Sequence, residues 1–454
     1  MRKDNRSSLG IVLVLVLLIA GVVYLYNSSM FERNAPIIKL EQNGYWNLKK
    51  PLKLTISDES GIKEYKVILK SKKESMELNY DRPLMAPKEL ILELNPPRSA
   101  YAIKEKKLSI VVEAVDKSKW DFFNGNRVVK KYDLIIDKRR PEVSVVSNSY
   151  KISRGGSALV IFRAVDDNLQ NLFIESTDGK KFLAEPFYKE GYYIALLAWP
   201  VTQSSFRATV MAEDSAGNIA KEYIPLYLKN RDYRLSKITL TDKFLNGKIM
   251  DLAELYQETQ GVDGILNQFK IINEDVRAKN ETLIHKITSV VPSEMISDFK
   301  IHRMYPLKDA AVVAHFGDHR KYFYKGQFIS EAYHLGLDLA SYKNAKIISQ
   351  NGGKVVFADY NGLYGNSPII SHGLGLYTLY GHCSHLDVTK GDRVSKNQKF
   401  ANTGKTGYAM GDHLHFGVLV QGIEVRPQEW MDSHWIKLNI TNIIKSAKKI
   451  IDRD

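Results

Sequence analysis

The chain has 454 residues, 44% of them hydrophobic and 26% charged, too long for one ordinary core and ordinary in composition for protein that folds in water, so roughly three compact units are expected. Its 65 Lys and Arg against 51 Asp and Glu leave a net charge of +14, which suits polyanionic surroundings such as nucleic acid, anionic lipid or a negatively charged cell wall. No helix-turn-helix signal, zinc-finger spacing or RNP-like aromatic pattern accompanies the charge, so nucleic acid is set aside as a partner.

Near the N-terminus, Leu9 to Tyr26 reads LGIVLVLVLLIAGVVYLY, an uncharged run that spans about 27 Å as a helix and matches a bilayer's hydrocarbon thickness. Arg2, Lys3 and Arg6 precede it, and the positive-inside rule places them in the cytoplasm and everything after Asn27 outside. A cleaved signal peptide is the rival reading, but the run exceeds the usual apolar region and no A-x-A-like site follows. Residues 1–30 are therefore expected to form a cytoplasmic tail and a single uncleaved anchor in the cytoplasmic (inner) membrane. The bulk of the chain lies outside the cytoplasm, with a lean towards a periplasm because no lipidation or wall-sorting signal is present.

Two stretches of about a hundred residues follow one loose plan, a sign of tandem modules. Each opens on a proline before alternating apolar residues, at Pro36 and Pro141, and each runs strands into acidic turns, at Asp58 and Asp116 and at Asp166, Asp167 and Asp214. Short strands between turn signals predict β-sandwiches over 31–140 and 141–232, and AEDSAGNIAKEYIPLYL in the second resembles bacterial immunoglobulin-like modules. The acidic residues read as turn chemistry, in which Asp and Ser bond the local backbone, rather than as calcium ligands. As spacers or docking surfaces, these modules are where cell-envelope protein partners would bind.

From Thr241 the period turns helical, with Leu252, Leu255 and Tyr256 on one face and Val276, Leu283, Ile284 and Ile287 on a later one, Val262 to Gly264 between them and Pro292 beyond. Residues 233–300 are thus expected as a helical linker without chemistry of its own. At the other end, over 436–454, Ile440, Ile443, Ile444, Ala447 and Ile451 form one stripe opposite Lys445, Lys448, Lys449 and Arg453, an amphipathic helix expected to pack on its own domain rather than on anionic lipid.

Most of the eleven histidines fall between His315 and His415. Two short motifs stand out, H-x-x-x-D at His334 and Asp338 in YHLGLDLA and H-x-H at His413 and His415 in GDHLHFGV. Side chains two apart on a strand share a face, so His413 and His415 point one way, as do His334 and Asp338 if extended. Two His and a carboxylate suit zinc with an open fourth position, where a water of lowered pKa becomes a hydrolytic nucleophile. Such chemistry also needs a proton acceptor and a donor beside the developing oxyanion, and His413 and His382 are the candidates, although spacing alone does not bring His382 to the site. Beside it, Cys383 is the only cysteine, which excludes an intramolecular disulfide and reads as a small buried side chain.

From about Val313 to Trp430 the chain resembles the lysostaphin/LytM family of zinc endopeptidases through an ordered set of pieces: FGDHR around Arg320, HLGLDLA, NGGKVVFA, GLYTLYGH, KGDRVSKNQ, TGKTG, HLHFGV and RPQEW. The resemblance implies an antiparallel β-sheet metallopeptidase domain over 301–435 in a mainly β protein. It implies Zn2+ held by His334, Asp338 and His415, with His382 and His413 as the catalytic pair, and a place near the site for Arg320. It assigns nothing to His315, His319, His372 or His385. The implied activity is cleavage of peptide bonds in peptidoglycan stems or cross-bridges. Two non-enzymatic readings stand beside it, a regulator or scaffold of other wall hydrolases and a peptidase domain held shut by the segment from Phe31 to Lys300.

Overall fold

The computed structural model describes residues 6–41, 44–72, 74–98 and 103–453, with the side chains of 10–24 and 26 in the first helix. That helix, Arg6–Asn27, covers the expected anchor, and its apolar side chains face outward, Ile11 and Leu17 each more than 60% exposed. Among the described residues no helix is long and apolar enough to cross a membrane. Arg2 and Lys3 lie outside the described residues.

The chain divides into two compact units, the first running to Pro141 and taking in Asp167–Gln170 and Glu213–Ile219, the second holding Glu142–Asp166, Asn171–Ala212 and Ala220–Asp454. Alternation builds the first. In Leu52–Ser57, Leu52, Leu54 and Ile56 are buried and Lys53 is exposed; Val67 and Leu69 in Ile62–Lys70 and Ile110, Val112 and Ala114 in Lys107–Asp116 repeat the pattern. These faces close one core between a three-stranded and a five-stranded sheet, as two-period strands with one wet face must. The acidic turns are satisfied locally: Asp58 Oδ1 accepts from Ser60 N and Gly61 N, Asp116 Oδ1 from Ser118 N and Asn126 N, and Asp214 Oδ1 from Asn218 N.

In the second unit, the run SALVIFRAV forms Ser157–Val165, a strand buried along nearly its whole length. A strand this apolar needs cover on both faces. The C-terminal helix Asn442–Ile451 packs on it and on Glu142–Asn148, burying Ile444, Ala447 and Ile451, each isoleucine a contribution of about 1.5–3 kcal/mol. The stripe thus packs, but across the second β-module rather than on its own domain. That module, expected as a separate body, shares one hydrophobic core with the C-terminal domain.

Polar contacts fix the same junction. Gln421 accepts from Leu183 N at 2.8 Å and donates to Leu183 O at 2.9 Å, Trp430 Nε1 donates to Ser157 Oγ at 3.0 Å, and the Glu429 carboxylate accepts from Ser157 N at 3.0 Å.

The segment expected as a purely helical linker begins instead with a strand, Leu235–Thr239, paired parallel to His319–Tyr324. Helices follow from Asp242 to Thr288 with breaks. Leu252, Val276 and Ile284 are buried, whereas Leu255 is exposed because Tyr256 turns extended (φ −106°, ψ 132°) and ends that face.

The C-terminal domain is built on an eight-stranded antiparallel sheet. Its strands are β1 (Ala311–Ala314), β2 (Leu337–Ala340), β3 (Gly353–Tyr360), β4 (Asn366–Ser371), β5 (Leu376–Gly381), β6 (Arg393–Val394), β7 (Leu414–Val420) and β8 (Ile423–Val425), in the order β1-β2-β7-β5-β4-β3-β6 with β8 also on β7. All seven residues of the central β7 are buried.

Burial pushes the Glu429 carboxyl from 4.5 up to about 7, against the Ser157 amide and the Arg426 and Arg231 guanidiniums, which favour its charged form. The native state therefore holds an extra proton between those values, so this group favours folding at acidic pH and its contribution is lost as pH rises through 7. E429Q is expected to gain stability relative to wild type between pH 5 and pH 8, by about 2–3 kcal/mol at most. Paired thermal melts of the full-length protein across that range check it, and a difference that does not change with pH would contradict a buried neutral acid.

Candidate metal centre

Register does most of the assembly. Asp338 on β2 stands directly opposite His415 on β7, and Gly381 at the end of β5 stands opposite His415 from the other side. His334 precedes β2 and reaches the same point after a bend at Gly336. His334 Nε2 lies 3.0 Å from Asp338 Oδ1 and 3.1 Å from His415 Nδ1, and His415 Nδ1 lies 2.9 Å from Asp338 Oδ1. All three residues are buried.

His382 arrives by a different route. Strand alternation would send it to the face of Tyr380, which packs on Phe400 and Phe416 in the core. Its backbone is instead left-handed, φ +66°, a conformation that is uncommon for a non-glycine residue and clusters at functional sites. The ring comes within 5.9 Å of the His415 ring and 4.8 Å of the His413 ring, centroid to centroid. His413 shares the face of His415, and its Nε2 stands 3.7 Å from Asp338 Oδ2.

Each imidazole but His415 has one nitrogen tied back: Nδ1 of His334 to the His315 carbonyl at 2.9 Å, Nδ1 of His382 to the Thr406 carbonyl at 2.8 Å, and Nδ1 of His413 to the Gly411 carbonyl at 2.9 Å. A carbonyl only accepts, so these Nδ1 atoms carry the proton and the Nε2 lone pairs face the cluster. Burial alone would push Asp338 up, but His334 and His415 beside it hold its carboxyl well below the usual range. Burial, with His415 and His413 adding to it, lowers His382 to about 3. It also lowers His415, against the pull of Asp338. One anionic carboxylate oxygen and two imidazole nitrogens, all within 4.8 Å, form a donor set that fits zinc.

A cleft of about 570 Å³ opens over this cluster. Its other wall comes from Ile238, Leu240, Phe244, Tyr322 and Tyr408, with Arg277 and Arg320 among them. Arg320, expected near the site, lines the cleft and is held by Asp318 at 3.3 Å. The histidines with no expected role stay out of the cluster: His319 stacks on Tyr333, His372 bonds Thr378, and His385 sits by Asp387, while His315 lends only its carbonyl. Cys383 is buried, its thiol donating to the Tyr380 carbonyl and pushed up to about 12 by burial, an inert side chain.

Sequence reasoning missed Tyr364, whose ring meets His415 edge-on at 5.3 Å, and Arg277, Phe244 and Tyr408. Arg277 and Phe244 sit in the segment expected to carry no chemistry, and no local pattern marks them. The Thr406 carbonyl lies within TGKTG, a piece of the resemblance that carried no assigned role.

Residues 332–427 match peptidase family M23. Over 119 residues the chain is 34% identical to a Vibrio cholerae protein named peptidoglycan DD-endopeptidase ShyB, the match covering 26% of this chain and 27% of that one. Over 101 residues it is 33% identical to stage II sporulation protein Q of Bacillus subtilis, covering 21% and 36%. The chain thus spans roughly a quarter to a third of the length of these curated relatives. A crystal structure of a peptidase M23 from Pseudomonas aeruginosa is similar at 18% identity with a TM-score of 0.39, covering 62% of this chain and 95% of that one.

Gly336 has no room for a side chain, since a Cβ there would run into the His415 ring. G336A is expected to displace that ring, lower bound divalent metal well below one per chain, and destabilise the fold by about 1–3 kcal/mol. Elemental analysis and melting of the purified variant check this; full metal content at an unchanged melting temperature would contradict the close approach.

Proposed function

We propose that this chain is a zinc-dependent endopeptidase that hydrolyses peptide bonds in peptidoglycan stem peptides or cross-bridges, and that the Arg6–Asn27 helix anchors it in the cytoplasmic membrane with the bulk outside, in a periplasm. The observation that carries the reading is the convergence of His334, Asp338 and His415 to within 3.1 Å, with His382 and His413 flanking them in one cleft. The match of residues 332–427 to peptidase family M23, and the names of relatives that act on peptidoglycan, support the substrate class.

His334, Asp338 and His415 would hold the zinc, which supplies Lewis acidity that polarises a carbonyl oxygen and acidifies water. His382 stays neutral at physiological pH, and its Nε2 lone pair, fixed by the Nδ1–H bond to Thr406, is oriented to accept a proton from the attacking water. His413, held the same way by Gly411 and set beside Asp338, is placed to take the other role, a donor to the developing oxyanion once its Nε2 also carries a proton. Asp338 stays anionic between the two imidazoles. Ile238, Leu240 and Phe244 give the cleft an apolar wall.

The anchor reading rests on the uncharged run from Leu9 to Tyr26 and on the exposure of its described apolar side chains, such as Ile11 and Leu17. An apolar helix left bare in water is unfavourable and seeks lipid. The β-modules, the second with an immunoglobulin-like sequence, are read as spacers that offer surfaces to other envelope proteins.

Incubating the full-length protein in detergent with purified peptidoglycan should release muropeptides, detectable by mass spectrometry and abolished by a chelator. H413A is expected to keep its zinc and lose about 10²–10⁴-fold in rate, whereas H334A should lose the zinc itself. Zinc-loaded wild type that releases nothing would sink the enzyme reading, and unchanged zinc in H334A would sink the ligand assignment. Alkaline extraction of membranes should leave the full chain in the pellet and free a variant lacking residues 1–27; release of both would remove the anchor.

A further inference from the structure

Arg277 and Arg320 line the same cleft as the metal cluster; both precede residue 332, where the match to peptidase family M23 begins, Arg320 within the FGDHR piece of the family resemblance and Arg277 outside it. They come from different elements, Arg277 from the first turn of the helix Arg277–Thr288 and Arg320 from the strand His319–Tyr324. Each is held from behind. Arg277 donates through Nε to Asn273 O at 3.1 Å and through Nη2 to Asn273 Oδ1 at 3.0 Å, with its guanidinium 5.8 Å from the Tyr408 ring centre. Arg320 donates through Nε to Asp318 Oδ2 at 3.3 Å, and Asp318 is itself fixed by Ser236 Oγ at 2.6 Å.

Among the described residues Arg277 makes no ion pair with a carboxylate, and Arg320 spends only its Nε on Asp318. Glu281, one helical turn beyond Arg277, feels its charge but forms no ion pair with it. Burial pushes the Tyr408 phenol up, against both guanidiniums, which favour its charged form, and all three side chains line the one cleft. Two arginines with unspent donors line a cleft that also holds Ile238, Leu240, Phe244 and Tyr322, a setting that suits an anionic, partly apolar ligand; the Asp412 carboxylate, also in the lining, is taken up by Asn344 N and Thr403 Oγ.

We infer that Arg277 and Arg320 form a carboxylate-receiving subsite that selects peptides carrying a free carboxylate close to the bond presented to the cluster. The inference rests on the endopeptidase reading for the identity of the ligand as a peptide. Guanidinium forks bind carboxylates through paired hydrogen bonds, a geometry an ammonium does not reproduce. The helical segment before the peptidase domain then sets specificity rather than merely connecting.

Binding tests this without catalysis. Stem peptides released from peptidoglycan, with free carboxylates or after conversion of those carboxylates to amides, are titrated calorimetrically into chelator-treated full-length protein. Wild type is expected to bind the carboxylate form at least tenfold more tightly than the amide. R277Q and R320Q should each lose most of that discrimination at unchanged melting temperature, and R277K should recover only part of it. Should R277Q fail to fold, R277K and R320Q carry the comparison. Equal affinity of wild type for both forms, binding of neither form, or undiminished discrimination in both glutamine variants would overturn the subsite. Discrimination here, combined with zinc-loaded full-length protein that releases no muropeptides, would instead sink the endopeptidase reading and leave the subsite standing.

Discussion

A carboxylate buried among imidazoles at hydrogen-bond distance is the arrangement on which the rest of this domain depends. Left to flexible side chains, Asp338, His334 and His415 would separate into water, because desolvating a charge is costly unless its partners are already in place. Here the partners are in place through the backbone. The β2–β7 ladder sets Asp338 opposite His415, and a one-residue slip would turn the slipped strand's ligand to the opposite face, away from the other. Full burial of β7 makes such a slip expensive, so the core of the sheet and the geometry of the cluster are one constraint.

The same sheet explains why the second β-module is not a loosely tethered bead. Strand Ser157–Val165 has no wet face to spare, and its cover includes residues nearly three hundred positions away, such as Asn439, whose carbonyl accepts from Ser149 Oγ at 3.0 Å. Gln421, directly after β7, reaches Leu183. The module is thus hydrogen-bonded to the residue that directly follows the strand carrying His415.

What could be read from the chain beforehand follows the range of the interactions. His413 and His415 share a face because the two-residue period of a strand is local, and the acidic turns at Asp58 and Asp116 close on neighbours two to ten residues away. The position of His382 depends on a left-handed residue at the end of β5 and on the pairing of Gly381 with His415, neither of which leaves a periodic trace; only the family resemblance pointed to it. Arg277 was unreadable for the same reason, as its place in the cleft is set by how a distant helix docks. The strand Leu235–Thr239 was hidden because its partner lies more than eighty residues on, and parallel pairing of that kind carries no turn signal. The strand running into the acidic turn at Asp166 and Asp167 was legible, but not its burial on both faces or which segments would cover it.

Because Leu235–Thr239 pairs along His319–Tyr324, the boundary suggested by family similarity is not a physical boundary. A fragment trimmed to start near residue 300 would leave one edge of His319–Tyr324, which otherwise lies between Leu235–Thr239 and Gln327–Tyr333, as a row of bare amides and carbonyls, a template for self-association. It would also lack Ile238, Leu240, Phe244 and Arg277, part of one wall of the cleft. Aggregation or silence from such a fragment would report on the missing strand and wall, not on the chemistry of the residues it retains.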